Sequence, residues 1–220
     1  MPSAQKRKVL ERTRKRKNRG VLYLLIVIVL IGIVVVGVYA YVSSLPPDKI
    51  YATLNTSKGT FEIELYRSLT PITVNNFVNL AKSGFYNNLV WHRIQPGFVI
   101  QTGDENTKNF VGGNNSTWGT YQGTNIPDEI VSSLHNYAGY MAMANTGAPN
   151  SGSTQFFINL VDSSSSLDGK YTVFGHVISG MDVVNAIGNV PVYPAPPTGV
   201  CCQPKSPFPF LTSVTISNTP

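Results

Sequence analysis

The feature that most constrains this chain is the stretch from Trp91 to Asp104, which sets one arginine and one glutamine among apolar and aromatic residues. A Pro-Gly pair in its middle predicts a turn, so residues 90–94 and 98–102 are predicted to be the two strands of a hairpin. Alternate residues of a strand share a face. Arg93 and Gln101 lie on different predicted strands, so they reach one surface only through the turn and twist of the hairpin. Taken alone, the stretch is equally compatible with an ordinary hairpin that carries an exposed arginine.

Three later segments narrow the choice: Met143 to Gly147, Ser153 to Ile158, and Leu167 to Gly175. Together with the first stretch they resemble the cyclophilin-type peptidyl-prolyl isomerases, whose patterns run close to F-H-R-x-x-P-G-F-x-x-Q-x-G-D, M-A-N-x-G, S-Q-F-F-I and L-D-G-x-x-x-V-F-G. The order and spacing agree, and the resemblance covers roughly Lys49 to Ser217. A composite match of this length is far more specific than one short motif. It implies the family's closed, eight-stranded antiparallel β-barrel with a helix over each open end.

The residue patterns outside these motifs also favour a mainly β fold, because many short strands and few helices are typical of a closed antiparallel barrel. One helix is predicted to begin at Pro71, with Thr70 as its N-cap, and to end at Gly84. A second is predicted over Met181 to Ile187, and Ser163 to Ser166 is predicted as a loop. Strands are predicted at residues 50–54, 60–66, 139–144, 154–160, 171–177 and 211–216.

The N-terminal part has a different composition from the rest. Residues 1–20 carry nine Lys or Arg and one acid, and residues 21–42 form an uncharged run rich in Val, Leu and Ile. About 20 apolar residues span a bilayer as a helix, so we predict a cytoplasmic basic tail, a transmembrane helix over 21–42, a linker over 43–48 and a domain outside the membrane over 49–220. The alternative is a cleaved signal peptide and a secreted domain.

The net charge of +6 belongs to this tail. Without the tail, 8 basic and 10 acidic residues remain, because 9 of the 17 Lys and Arg and 1 of the 11 acids lie in residues 1–20. A basic run beside a membrane helix sets topology and contacts anionic lipid, and we expect no nucleic-acid binding.

The resemblance assigns roles to ten residues. Arg93 is implied to donate hydrogen bonds to the prolyl nitrogen and the neighbouring carbonyl, and Gln101 to bond the substrate backbone. The substrate-binding residues are implied to be His92, Phe98, Val99, Ala144, Asn145, Phe157, Leu167 and Tyr171. Phe156 and Phe157 are strand neighbours and point to opposite faces, so one belongs to the core, and the resemblance assigns Phe157 to the pocket. Isomerisation makes and breaks no covalent bond, and we expect neither a cofactor nor a metal.

The chain departs from the best-known family pattern at four positions. Trp91 replaces a Phe, Val99 a common Met, and Tyr171 a His that is frequent in eukaryotic members. Ser166 stands where drug-sensitive members carry a Trp. This last change predicts weak or no cyclosporin binding without affecting isomerisation.

Residues 191–209 read as an inserted, Pro-rich loop, and they contain the two cysteines of the chain, Cys201 and Cys202. Adjacent residues have Cα atoms about 3.8 Å apart, which is below the usual disulfide range. A strained vicinal disulfide, a metal site, and two thiols or an intermolecular bond all remain open.

These observations predict a membrane-anchored, monomeric peptidyl-prolyl cis-trans isomerase that acts on X-Pro-containing polypeptides and assists the folding of exported or membrane proteins. The alternative is a non-catalytic binding module or chaperone of the same fold. Retention of both Arg93 and Gln101 favours catalysis.

Overall fold

The computed structural model describes residues 23, 26–40, 49–112, 115–120, 122–194 and 201–220. The chain divides into two compact units, Met1–Pro47 and Asp48–Pro220. In the first unit, helix α1 is described over residues 26–40, and its side chains are exposed. Within the described ranges, no helix combines the length and the apolar character needed to cross a membrane. The predicted basic tail, both ends of the predicted span and the linker lie outside the described residues.

The second unit is built on one sheet of nine strands. In chain order these strands are β1 Ile50–Thr56, β2 Gly59–Leu65, β3 Leu89–Val90, β4 Arg93–Gln95, β5 Val99–Thr102, β6 Tyr140–Met143, β7 Phe156–Asn159, β8 Val173–Ser179 and β9 Phe210–Ser217. Their order in the sheet is β3-β9-β1-β2-β8-β6-β7-β5-β4, and every pairing is antiparallel. The helices are α2 Pro71–Lys82, α3 Ser164–Leu167 and α4 Met181–Gly188, with a 3-10 turn at Glu105–Thr107.

The sheet is open, which corrects the prediction of a closed eight-stranded barrel. The predicted strand over residues 90–94 is split in two: β3 pairs with β9 at one edge of the sheet, and β4 pairs with β5 at the other. Trp91 and His92 join these two edges, and both side chains are fully buried. Three residue steps reach at most about 11 Å, so the sheet must curl until its two edges face each other. Among the strands described here, no ladder joins β3 to β4.

Helix α2 packs against the core through a stripe of apolar side chains, as its spacing predicts. Val74, Phe77, Val78 and Ala81 are buried, and the ring of Phe77 lies 5.4 Å from that of Phe156. Pro71 occupies the first turn, as predicted.

The N-terminus of α2 is capped differently from the prediction. The hydroxyl of Thr70 donates to the carbonyl of Tyr66 and does not cap the helix. Instead, the carboxylate of Glu129 accepts from the amides of Ile72 and Thr73 at 3.0 and 2.8 Å. A carboxylate at this position satisfies free amide donors and suits the positive end of the helix dipole.

Two shorter helices complete the domain. Residues 164–167 form one helical turn, α3, where the sequence predicts a loop. Helix α4 agrees with its predicted range and follows Gly180, which has φ +82. A Cβ at Gly180 would lie 2.7 Å from Thr60 O, so the close approach of β2 requires glycine there.

Candidate active site

Five strands contribute one residue each to a continuous row across the sheet. Arg93 on β4 pairs with Gln101 on β5, Gln101 pairs with Phe157 on β7, Phe157 with Ala142 on β6, and Ala142 with Val173 on β8. Directly paired residues of neighbouring strands project from the same face of a sheet. The row therefore brings one cation and one amide to the edge of an apolar surface.

The residues one position along form the row on the opposite face. Ile94 pairs with Ile100, Ile100 with Ile158, and Ile158 with Met141, and all four are fully buried in the main core. Because the side-chain period of a strand is two, this alternation assigns one face to the core and leaves the other for a site.

A cavity of about 230 Å³ opens on the face that carries Arg93. Its lining consists of nine of the ten residues that the sequence singled out: Arg93, Phe98, Val99, Gln101, Ala144, Asn145, Phe157, Leu167 and Tyr171. Its apolar floor belongs to a second cluster, separate from the main core, that contains Val99, Phe157 and Leu167. The rings of Phe157 and Tyr171 meet edge to face at 5.3 Å, which stiffens the wall. Phe156 lies in the main core, as the predicted division of the two phenylalanines requires.

The polar side of the cavity is a chain of hydrogen bonds that holds the guanidinium of Arg93. Its Nη1 donates to Gln101 Oε1 at 3.4 Å and its Nη2 donates to Gln95 Oε1 at 2.7 Å. Gln101 Nε2 in turn donates to Gln155 Oε1 at 2.9 Å. Sequence reasoning missed Gln95 and Gln155. Strand alternation could have found both, since each lies two residues from a predicted site residue.

His92 is the predicted site residue that does not line the cavity. Its side chain is fully buried, and burial, followed by the positive charge of Arg93, lowers its pKa to about 3. The imidazole is therefore neutral over the physiological range. The substrate-binding role of His92 therefore stays a prediction, and its side chain is not among those that line the cavity.

Two loops close the other side of the cavity and are tied together by Asn145. Its Nδ2 donates to Lys170 O at 2.9 Å, and its Oδ1 accepts from the amide of Gly147 at 3.0 Å. The amide side chain of Asn145 is thus occupied by hydrogen bonds to the two loops.

The turn that carries Leu167 is fixed by the carboxylate of Asp168. This carboxylate accepts from the backbone amide of Asn136 at 2.8 Å and lies 2.7 Å from Nδ1 of His135. Within the described ranges, no three His, Cys, Asp or Glu side chains are grouped as metal ligands would be.

Comparison with known proteins identifies the family. Residues 51–200 match the model of the cyclophilin type peptidyl-prolyl cis-trans isomerases. The chain belongs to this family. It is 46% identical over 139 residues to peptidyl-prolyl cis-trans isomerase-like 1 of Emericella nidulans, a match that covers 63% of this chain and 81% of the relative. A peptidyl-prolyl cis-trans isomerase of Acinetobacter baylyi is 42% identical over 142 residues, covering 63% of this chain and 71% of that protein.

The fold agrees with a solved cyclophilin. The crystal structure of a cyclophilin type peptidyl-prolyl cis-trans isomerase from Cryptosporidium parvum superposes with a TM-score of 0.65 at 28% sequence identity. The match covers 78% of this chain and 99% of the other. The enzyme class is therefore that of the peptidyl-prolyl cis-trans isomerases, and the alternative of a non-catalytic module of this fold is set aside.

Proposed function

We propose that the cavity beside Arg93 is the catalytic site and that it isomerises X-Pro bonds in exported or membrane polypeptides at the outer face of a membrane. The main observation in support of this site is the pairing of Arg93 with Gln101 directly beside a cavity whose apolar floor suits a proline ring. A solved structure of the Cryptosporidium parvum enzyme in the presence of the dipeptide Ala-Pro, which superposes with a TM-score of 0.63 at 28% identity, supports a substrate of this kind.

The chemistry requires a fixed cation and a fixed ring. An unassisted X-Pro bond isomerises over tens to hundreds of seconds, and its twisted transition state loses amide resonance. The prolyl nitrogen then gains a lone pair, which the guanidinium of Arg93 stabilises by donating to it. An acceleration on the order of 10⁵ needs about 7 kcal/mol, supplied by contacts that are stronger in the transition state than in the ground state.

The apolar walls hold one half of the substrate while the other half rotates. Phe98, Phe157 and Leu167 grip the prolyl ring, and the backbone at Ala144 and Asn145 receives the adjoining peptide. Because Gln95 and Gln101 both accept from Arg93, the guanidinium is oriented before the substrate arrives. Such preorganisation avoids reorganisation in the transition state.

The role of Gln101 is tested by comparing two glutamines that both contact Arg93. Gln101 lines the cavity and Gln95 does not. In a protease-coupled assay with an Ala-Pro peptide, we expect Gln101→Ala to lower kcat/KM at least about tenfold, or about 1.4 kcal/mol. The matched variant Gln95→Ala should lose less, about threefold, because it removes a support of the guanidinium but no contact with substrate. Equal losses in the two variants, or no loss in Gln101→Ala, would overturn a direct contact of Gln101 with substrate.

The proposed membrane location rests on the N-terminal sequence. The uncharged run over residues 21–42 is long enough to span a bilayer, and the nine basic residues before it favour a cytoplasmic N-terminus. The apolar side chains described within this run, such as Ile28 and Val34, are exposed and would be covered by lipid.

Protease accessibility in intact cells tests this topology. With tags at both ends of the full chain, we expect added protease to remove the C-terminal tag and spare the N-terminal one. Protection of both tags would overturn the proposed orientation. A domain recovered from the medium with a new N-terminus near residue 41 would instead support signal cleavage.

A further inference from the structure

The Cys201-Cys202 pair lies in the C-terminal segment against the strand that carries Arg93. Both thiols are free and half-buried, and their Sγ atoms are 2.7 Å apart. Cys202 has φ +64, in the left-handed region that non-glycine residues seldom adopt. The local backbone thus holds two sulfur atoms together that adjacent residues in regular structure would keep apart.

A backbone hydrogen bond connects this pair to the active site. The amide of Ile94 donates to the carbonyl of Cys202 at 2.8 Å. Ile94 is the central residue of β4, and its two neighbours in that strand are Arg93 and Gln95. Cys202 therefore covers the free edge of the strand that positions the guanidinium.

The chain just beyond Cys202 is firmly held. The amide of Tyr193 donates to Gln203 O at 2.9 Å, and the amide of Lys205 donates to Pro191 O at 2.8 Å. Asn115 Nδ2 donates to Gln203 Oε1 at 2.7 Å. Because residues 203–205 are fixed, a change of conformation at Cys202 is transmitted to Ile94 more readily than it is absorbed downstream.

We propose that Cys201 and Cys202 form a thiol–disulfide exchange site through which a low-molecular-weight disulfide lowers isomerase activity. The Cys201 thiolate attacks one sulfur of the disulfide, which forms a mixed disulfide and releases one thiolate. The sulfur of Cys202 then gives its proton to that thiolate and attacks Cys201 Sγ. This releases the second thiolate, which takes up from solvent the proton that Cys201 lost when it ionised. The two protein thiols are oxidised and the added disulfide is reduced to two thiols.

The order of the two attacks follows from the surroundings of the thiols. Burial, followed by the hydrogen bond with Cys201, raises the pKa of Cys202 to about 11, although the positive charge of Arg93 acts in the opposite direction. Cys202 is therefore protonated at neutral pH and is the weaker first nucleophile, since the thiolate is the attacking species. It acts second, when the released thiolate is present to accept its proton.

Oxidation acts on Arg93 through the backbone. A disulfide between adjacent residues closes an eight-membered ring that includes the peptide bond between them and the N–Cα bond of Cys202. Shortening the Sγ–Sγ distance from 2.7 Å to the roughly 2.05 Å of a covalent bond therefore alters φ of Cys202. The carbonyl that accepts from Ile94 turns with it, β4 loses a support on its free edge, and Arg93 and Gln95 are held less firmly. A strained disulfide is also readily reduced, as a reversible switch requires.

The test uses the full-length protein equilibrated with oxidised and reduced glutathione. In the oxidised form we expect the peptide that contains both cysteines to lose the mass of two hydrogen atoms. The amide of Ile94 should exchange with solvent at least about fivefold faster, because its acceptor has moved. Turnover of an Ala-Pro peptide should fall at least about threefold in kcat/KM and recover on reduction.

The variants Cys201→Ser and Cys202→Ser are the matched controls, because each can form a mixed disulfide but not the vicinal one. Both should keep their Ile94 exchange rate and their activity in oxidised glutathione. The effect on turnover rests on the proposed role of Arg93, whereas the mass change and the Ile94 exchange do not. Absence of the vicinal disulfide at every glutathione ratio, or an oxidised protein with unchanged Ile94 exchange, would overturn the proposal.

Discussion

Strands β4, β5 and β7 present one set of side chains on one face of the sheet and the neighbouring residues, one position along, on the other face. On one face, Arg93 and Gln101 remain partly exposed beside the ring of Phe157. On the other, Ile94 and its partners across the sheet are fully buried. The same three strands thus form both a site and a core, and the strand register decides which residues point to which face.

The register itself is set by the turn between β4 and β5. The amide of Phe98 donates to Gln95 O at 3.0 Å, and Gly97 has φ +69. This geometry places Gln95 opposite Val99 and Arg93 opposite Gln101. A slip of one residue would bury the cation and expose the isoleucines, so the tight turn protects the fold and the chemistry together. We therefore expect substitutions on the core face to reduce stability and substitutions on the site face to reduce turnover.

The largest expected difference is between substitutions of the adjacent residues Phe156 and Phe157, which should affect stability and turnover to different extents. Phe156 is fully buried, and its ring meets those of Phe77, Tyr86 and Trp91. Phe156→Ala should lower the free energy of unfolding by about 3–5 kcal/mol, measured by urea denaturation. Phe157→Ala should lower it less, because one side of that ring faces the cavity, and should reduce kcat/KM in protein that is still folded. Equal losses of stability at the two positions would contradict the assignment of faces.

The next contrast compares Arg93 with Ile94. Arg93→Ala should lower kcat/KM at least about 10²-fold, or about 2.7 kcal/mol, and leave the free energy of unfolding nearly unchanged. Arg93→Lys should not restore full activity, because an ammonium lacks the planar fork that reaches the nitrogen and the carbonyl together. The measurement is turnover of an Ala-Pro peptide alongside urea denaturation.

Ile94→Ala is the control on the opposite face. It should lose about 2–5 kcal/mol of stability while the folded fraction keeps the wild-type kcat/KM. A folded Arg93→Ala protein that turns over proline peptides at the normal rate would show that the proposed mechanism is wrong.

The sequence predicts the site better than it predicts the boundaries of the sheet. The motif segments contain the nine residues that line the cavity, and strand alternation separates Phe156 from Phe157. The motifs and the alternation are both local properties of the chain. The split at Trp91 and His92 depends on β9, far along the chain, which pairs with the first half of the segment, whereas β5 pairs with the second half as the hairpin predicts. The local sequence pattern does not indicate which distant strand will pair with a segment.

The cap of helix α2 and the position of His92 illustrate the same limit. Thr70 fits a local N-cap pattern, but Glu129 reaches the helix from far along the chain. His92 adjoins Arg93 in the motif, yet it lies in the segment that crosses between the sheet edges, where its side chain is enclosed on all sides. Tertiary packing therefore determines both the cap of α2 and the burial of His92.

The burial of His92 predicts a pH dependence of stability. Its folded pKa of about 3 is below its unfolded value of 6.5, so the unfolded state binds the proton first as the pH falls. Its contribution to stability is complete above pH 6.5 and is lost progressively between pH 6.5 and 3. Between pH 7 and 5 we expect a loss of about 2 kcal/mol in the free energy of unfolding.

Urea denaturation of the wild type and of His92→Gln at both pH values isolates this contribution. The variant should be less stable at pH 7 but should lose less stability on acidification, since the other titrating groups are common to both proteins. Parallel losses in the two proteins would mean that His92 is protonated in the folded state.

The smallest expected effect concerns the rim of the cavity at Ser166. This residue is exposed at the end of α3, directly before Leu167, and a tryptophan there would add a flat apolar surface and an indole donor beside the cavity. Ser166→Trp should therefore bind cyclosporin at least about tenfold more tightly than the wild type, a gain of about 1.4 kcal/mol measured by isothermal titration calorimetry. Ser165→Trp, equally exposed but one residue further from Leu167, should gain little because its ring projects from a different side of the turn. Tight binding by the unmodified protein would show that the remaining residues of the cavity suffice for the drug.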